Sequence, residues 1–149
     1  MKKNQDITDK TLEYWENANC ARTTVCVLLS HYGYESLCDP FFKAMLPMGG
    51  GFGDGLVCGA VTGSLAAISL ILVEEGLTEE EIKEKVAIWK TNFKERFESL
   101  NCYDLMSAFL NANGELDFDM PGRREKCTNA VTSAVTFACQ ILDSIRSKN

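Results

Sequence analysis

Only one histidine, His31, occurs among the 149 residues. Its isolation excludes a HExxH metalloprotease, a two-histidine facial triad and a Cys2His2 zinc finger within one chain. Positive charge is also scarce, with 15 Lys and Arg against 21 Asp and Glu, a net charge of -6. Such an acidic chain is poorly suited to a phosphate backbone, so no nucleic-acid partner is expected. No two cysteines stand three residues apart. The missing CxxC removes the thioredoxin dithiol, zinc ribbons, ferredoxin-type cluster loops and haem attachment as local motifs. No apolar run follows the opening Met1-Lys2-Lys3-Asn4-Gln5-Asp6-Ile7-Thr8-Asp9-Lys10. A secretory signal is therefore not expected, and the expected location is cytoplasmic, where thiols stay reduced unless catalytic or metal-bound. Strand-like alternation, internal repeats and low-complexity tracts are missing as well.

What the chain does have is helical periodicity and seven cysteines. Its length is that of one domain, 1–149, large enough to bury a core without staples. From Asp9 to Tyr32, Leu12, Trp15, Ala18, Thr24/Val25, Leu28/Leu29 and Tyr32 recur at spacings of three and four. That pattern predicts one helix, stopped by Gly33. A short helix is predicted over Asp39–Met45, capped by Asp39, with Pro40 at the first helical position and Pro47 ending it. The third helix is predicted from about Leu56 to Glu75, closed by Gly76. Thr78-Glu79-Glu80-Glu81 forms a capping box that opens the fourth, whose buried stripe is Ile82, Val86, Trp89, Phe93 and Phe97. A fifth, shorter helix, capped by Ser99 or Asn101, runs through Leu110. A polar connection follows over 111–122, and a last helix spans Arg123 to Arg146. The expected fold is an all-α bundle of four long helices plus one or two short ones.

The stretch Gly55–Val73 has 19 residues without a charge, close to the roughly 20 that span a bilayer. Its glycines and hydroxyl residues lower its hydrophobicity, and Arg, Lys and Trp anchors are missing at its flanks. It reads as a buried core helix, and no membrane insertion is expected.

Five glycines fall in the seven residues 49–55, just ahead of this helix. Such a segment is a loop of unusual backbone angles. No Gly-Lys-Ser/Thr follows it and no strand precedes it, so neither the P-loop nor the dinucleotide fingerprint fits. The remaining use is close backbone approach, with N–H groups aimed at an anion such as a thiolate or a cluster sulfide. Gly59 and Gly63, one turn apart, leave a flat surface that another helix or a compact cofactor can approach.

The cysteines are Cys20, Cys26, Cys38, Cys58, Cys102, Cys127 and Cys139. Cys20 falls near the apolar stripe of the first helix. Cys58, Cys102 and Cys127 fall near predicted helix N-termini, where free N–H groups and the helix dipole favour a thiolate. Cys26 and Cys139 sit inside apolar helices and read as small packing residues, and Cys38 lies in a loop. The run Glu79, Glu80, Glu81 and Glu84 is a solvated first turn, His31 a lone surface histidine, Asp54 a cap and Asp104 a first-turn acid. No Ser-His-Asp order is present, and no catalytic residue is assigned.

At Cys58-Gly59-Ala60-Val61-Thr62-Gly63 the chain resembles a family of redox-active proteins named for a C–CGAxxG–C–C cysteine pattern. Asn19-Cys20-Ala21 matches the family's first cysteine element and Gly50-Gly51-Phe52-Gly53 its glycine-rich lead-in. The stretch Phe93–Leu105, with Cys102, matches the third element, and Cys127 with the Val131–Ala138 helix the fourth. Cys26, Cys38 and Cys139 fall outside the pattern. The resemblance covers nearly the whole chain, but the family name asserts redox activity without defining a reaction. A similar cysteine-bearing helical domain occurs in split-Soret cytochromes, where it is associated with an iron–sulfur centre. The resemblance thus implies that Cys20, Cys58, Cys102 and Cys127 ligate a small cluster, [2Fe–2S] being favoured. Gly51, Gly53 and Gly59 would lie beside the bound group. With no haem attachment sequence here, a separate redox partner is implied.

Three functions remain open. The first is a four-cysteine iron–sulfur or zinc protein, with electron transfer if the metal is iron. The second is a metal-free thiol–disulfide protein or sensor, with Cys58 as the low-pKa attacking thiol and Cys20, Cys102 or Cys127 resolving it. The third is a helical interaction module whose cysteines only pack, against which the glycine loop argues. Homodimerisation through a ligand-bearing face is compatible with either metal.

Overall fold

A computed structural model describes residues 2–148, with side chains from Gln5 onward. The longer helices are α1 (Lys2–Trp15), α2 (Cys20–His31), α4 (Gly59–Glu74), α5 (Glu79–Phe97) and α7 (Arg123–Arg146). The short ones are α3 (Cys38–Ala44) and α6 (Cys102–Leu105), with single 3-10 turns at Glu35–Leu37 and Leu46–Met48. Among the described residues there is no strand, only two isolated bridges, Val57 with Asn101 and Leu110 with Leu116. The fold is all-α, as the periodicity predicts.

The helix predicted over Asp9–Tyr32 is in fact two. Asn19 adopts extended backbone and its side chain accepts from Arg22 N–H at 2.9 Å, so it caps a new helix. Asn satisfies a free N–H at such a position better than it supports a helix interior. Cys20 thereby becomes the first residue of α2. Of the predicted stripe, Trp15, Val25, Leu28, Leu29 and Tyr32 are buried, but Leu12 is exposed, because α1 turns Ile7, Thr11 and Trp15 to the core instead.

Other boundaries shift for local reasons. Asp39 does not cap α3; it lies within it and pairs with Lys43 at 2.7 Å, one turn on. Asp54 does not cap α4 either, since Cys58 occupies that position. Leu56 and Val57 do not join α4 because they pair with the 100–102 segment. Cys58 N–H donates to Leu100 O at 2.8 Å and Cys102 N–H to Leu56 O at 2.6 Å. The helix predicted to reach Leu110 ends at Leu105, because Phe109 and Asn111 turn to the 115–117 segment. The capping box at Thr78 and Glu81 forms, and Gly76 closes the preceding turn at φ +86.

α2 is the central helix, and α4 lies closest against it. A Cβ on Gly63 would overlap Thr24 Oγ1 and the Ala21 carbonyl, and one on Gly59 would overlap Cys20 Sγ. The two glycines are the close-approach surface read from the sequence, and the partner is α2. α7 closes the other side. Trp89 stacks on Phe93 with centroids 5.1 Å apart and donates its N–H to Ala134 O at 3.1 Å. Trp15 donates its N–H to Thr128 Oγ1 at 2.8 Å, joining α1 to α7. Arg146 bridges the far end, meeting Glu75 at 2.8 Å and Tyr32 O at 2.9 Å. Buried polar groups satisfied in this way cost the core little. No described helix is long and apolar enough to cross a membrane.

Candidate functional site: a four-cysteine chamber

Cys20, Cys58, Cys102 and Cys127 all line one cavity of about 320 Å³. Each comes from a different element. Cys20 opens α2, Cys58 caps α4, Cys102 opens α6 and Cys127 lies in the second turn of α7. The Val57–Asn101 bridge sets Cys58 beside Cys102, and the Gly59 contact sets Cys20 beside the start of α4. Leu105, Met106, Ala130 and Val131 supply an apolar wall, with Trp15 and Phe118 as aromatic surfaces. Cys26, Cys38 and Cys139 do not line the cavity.

The four thiols interact and are not equivalent. Cys20 is hydrogen-bonded to Cys58, and N–H groups of Gly50, Ala21 and Cys20 itself also face its sulfur. Against the opposing effect of burial, these donors pull its pKa from 9.0 down to about 6. One of these donors, Gly50, belongs to the glycine loop. Cys58 moves the other way. Its bond to Cys20, its burial and the nearby Cys20 charge hold its thiol well above the ordinary value. Burial pushes Cys102 up to about 12, with Cys127 and Cys20 adding to the shift. Burial also raises Cys127, opposed by Arg123, whose Nη1 donates to the sulfur at 3.6 Å.

The low-pKa thiol is therefore Cys20 and not Cys58. Cys20, at the start of a twelve-residue helix, meets the N–H groups of Cys20 and Ala21 and that of Gly50 from the loop, whereas Cys58 is the donor in their shared bond. Cys102 opens a helix of four residues, too short for a useful dipole, so burial decides its state. In the metal-free protein, alkylation of Cys20 by iodoacetamide is expected to rise through pH 6 and to be near its plateau by pH 7.5. The direction follows because lowering the pKa puts the reactive thiolate at lower pH. A rate still climbing through pH 9 would show an ordinary thiol.

The glycines divide by role. Gly53 lines the cavity, together with Gly49 and Gly50, which sequence reasoning did not single out individually. Gly51 does not line it: at φ +60 it is packed against Leu56, where a Cβ would overlap backbone. Gly59 is also off the wall, behind Cys20 Sγ. Sequence reasoning also missed Arg123 and Arg124 at the chamber edge. Arg123 lies over Phe118 and Arg124 over Trp15, at 5.3 and 4.2 Å, and Arg124 donates to Trp15 O at 2.6 Å. The i,i+4 spacing of Arg123 and Cys127 is the signal that points to the first of them. His31 lies at the opposite end of α2, edge-on to Tyr32. Asp104 is the first-turn acid expected and accepts from Ser99 Oγ at 2.6 Å.

No three His, Cys, Asp or Glu side chains among the described residues converge to hold one metal ion. Tetrahedral zinc needs its sulfurs at about 2.3 Å from a single point. The four thiols instead surround a volume. A [2Fe–2S] cluster shares four thiolates between two irons, so its ligands also ring a volume. The wall has four thiols, the Met106 thioether, two guanidiniums and no carboxylate, in a chain of net charge -6. That donor set and that local charge suit an anionic cluster.

These features define a helical protein whose chemistry is that of buried, interacting thiols. A family model described as "Putative redox-active protein (C_GCAxxG_C_C)" matches residues 18–141, and the chain belongs to that family. The matched span contains all four chamber cysteines. The label writes the middle element as GCAxxG, whereas this chain reads Cys58-Gly59-Ala60-Val61-Thr62-Gly63. No curated protein and no solved structure matches the chain.

Proposed function

We propose that this protein is an electron-transfer protein whose chamber holds a [2Fe–2S] cluster on Cys20, Cys58, Cys102 and Cys127. The observation that carries this reading is that four cysteines from four separate elements line one cavity. A bound cluster would supply one-electron redox chemistry. The chain's own residues would do the rest. Cys20 offers a thiolate at neutral pH, while Cys58, Cys102 and Cys127 must each give up a proton on ligation, so loading releases protons and weakens in acid. Arg123 offsets the negative charge at Cys127, and the apolar wall keeps water from the sulfurs.

A second reading rests on the Cys20–Cys58 hydrogen bond. The Cys20 thiolate would attack a disulfide of a partner protein and release one partner thiolate. Cys58 would then lose its proton and attack the Cys20 sulfur, releasing the second thiolate and leaving a Cys20–Cys58 disulfide. Two electrons pass from this chain to the partner.

Anaerobic purification followed by assay of iron, zinc and acid-labile sulfide, with the visible spectrum, decides between them. Iron and sulfide near stoichiometry with charge-transfer absorption is the expected result. A colourless, metal-free protein that forms a Cys20–Cys58 disulfide would overturn the cluster reading in favour of the second.

A further inference from the structure

Two of the cysteines outside the chamber form a pair of their own. Cys26 lies in the middle of α2, fully buried, and Cys38 opens α3, half-buried. Between them the chain reverses through Gly33, at φ +90, and the 3-10 turn Glu35–Leu37. The reversal sets the two residues face to face. Cys26 Sγ donates to Cys38 O at 3.4 Å, and Cys38 Sγ donates to Cys26 O at 3.4 Å. Cys38 is close enough to add to the upward shift of the Cys26 thiol. Ser30 Oγ lies 3.7 Å from Cys38 Sγ and can donate to it.

We infer that Cys26 and Cys38 are a second redox site, a peroxide-oxidised dithiol that closes to a disulfide joining α2 to α3. The difference in exposure assigns the roles. Cys38, reachable from solvent, is the thiol that meets the oxidant. Its sulfur attacks one oxygen of a hydroperoxide, giving a sulfenic acid and releasing water or an alcohol. Cys26, out of reach of solvent, is the resolving thiol. It attacks the Cys38 sulfur and displaces water, so two thiols lose two electrons and two protons in all. Burial raises the Cys26 thiol to about 12, which suits a resolving group protected from direct oxidation.

The bond would brace the chamber from outside. α3 leads through the Leu46–Met48 turn into the glycine loop, whose Gly49, Gly50 and Gly53 form chamber wall. Asn19 Nδ2 already ties that turn to the start of α2, donating to Leu46 O at 3.0 Å. A Cys26–Cys38 disulfide would add a covalent tie from the middle of α2 to the start of α3, which leads into that turn. This inference does not depend on what the chamber holds.

The sequence allows a direct test on the unmodified protein. Trypsin cleaves after Arg22 and Lys43, and the fragment Thr23–Lys43 contains Cys26 and Cys38 and no other cysteine. The protein is treated with hydrogen peroxide at a small molar excess, blocked with iodoacetamide, digested and weighed by mass spectrometry. The expected fragment is two hydrogen atoms lighter than the reduced form and carries no alkyl group. Prior treatment with dithiothreitol should restore two alkylation sites. A fragment that keeps both alkyl groups while other cysteines oxidise would overturn the inference. So would one that gains oxygen atoms on Cys38 with Cys26 still alkylated.

Discussion

Replacing Gly63 by Leu should lower Tm by roughly 6–12 °C, from overpacking of about 3 kcal/mol. The first atom of any side chain there would overlap Thr24 Oγ1 and the Ala21 carbonyl. Neither can move cheaply. Thr24 Oγ1 donates to Cys20 O at 3.0 Å, and Ala21 is in the first turn of α2, fully buried. The damage would not stay local, because Cys20 and Ala21 carry the N–H groups that face the Cys20 thiolate. Thermal unfolding followed by circular dichroism reads the effect. An unchanged Tm would mean that α2 and α4 are not packed this closely. The milder Gly59→Ala is aimed at the site itself, since its Cβ would press on Cys20 Sγ.

The second large effect concerns bound metal. Under the cluster reading, Cys58→Ser should reduce iron in the anaerobically purified protein to background, whereas Cys139→Ala should leave it unchanged. Serine is close in size to cysteine, so the chamber keeps its shape while losing a soft ligand. Cys139 is on the same helix as Cys127 but twelve residues further along, about 18 Å away by helix rise. It faces Tyr32, which also donates to Asp143 at 2.8 Å. Full iron content in Cys58→Ser would remove Cys58 from the ligand set. Iron lost equally from both variants would point to general destabilisation.

Much of the scaffold was legible because it is written in local chemistry. The start of α5 follows from Thr78 and Glu81, the end of α4 from Gly76, and the start of α7 from the Gly- and Pro-containing segment before Arg123. Gly59 and Gly63 marked a close approach before any partner could be named. The four cysteines that match the family pattern meet at one cavity, and the other three stay off its wall. The break at Asn19 was missed because apolar spacing runs across it in phase, and periodicity alone cannot see a cap.

The state of each thiol was a matter for tertiary structure. Position near a helix start favoured Cys58, Cys102 and Cys127 as thiolates, yet Cys20 is the residue held low. A pKa depends on how many donors reach the sulfur and how much water it loses, and both are set by neighbours from other helices. The pairing of Cys26 with Cys38 arises in the same way, from a chain reversal that sequence reading placed only as a loop. Sequence by itself determined an acidic, all-helical chain with its sulfurs spread along its length. Folding decided which sulfurs meet, because contact between helices depends on packing that no local pattern encodes.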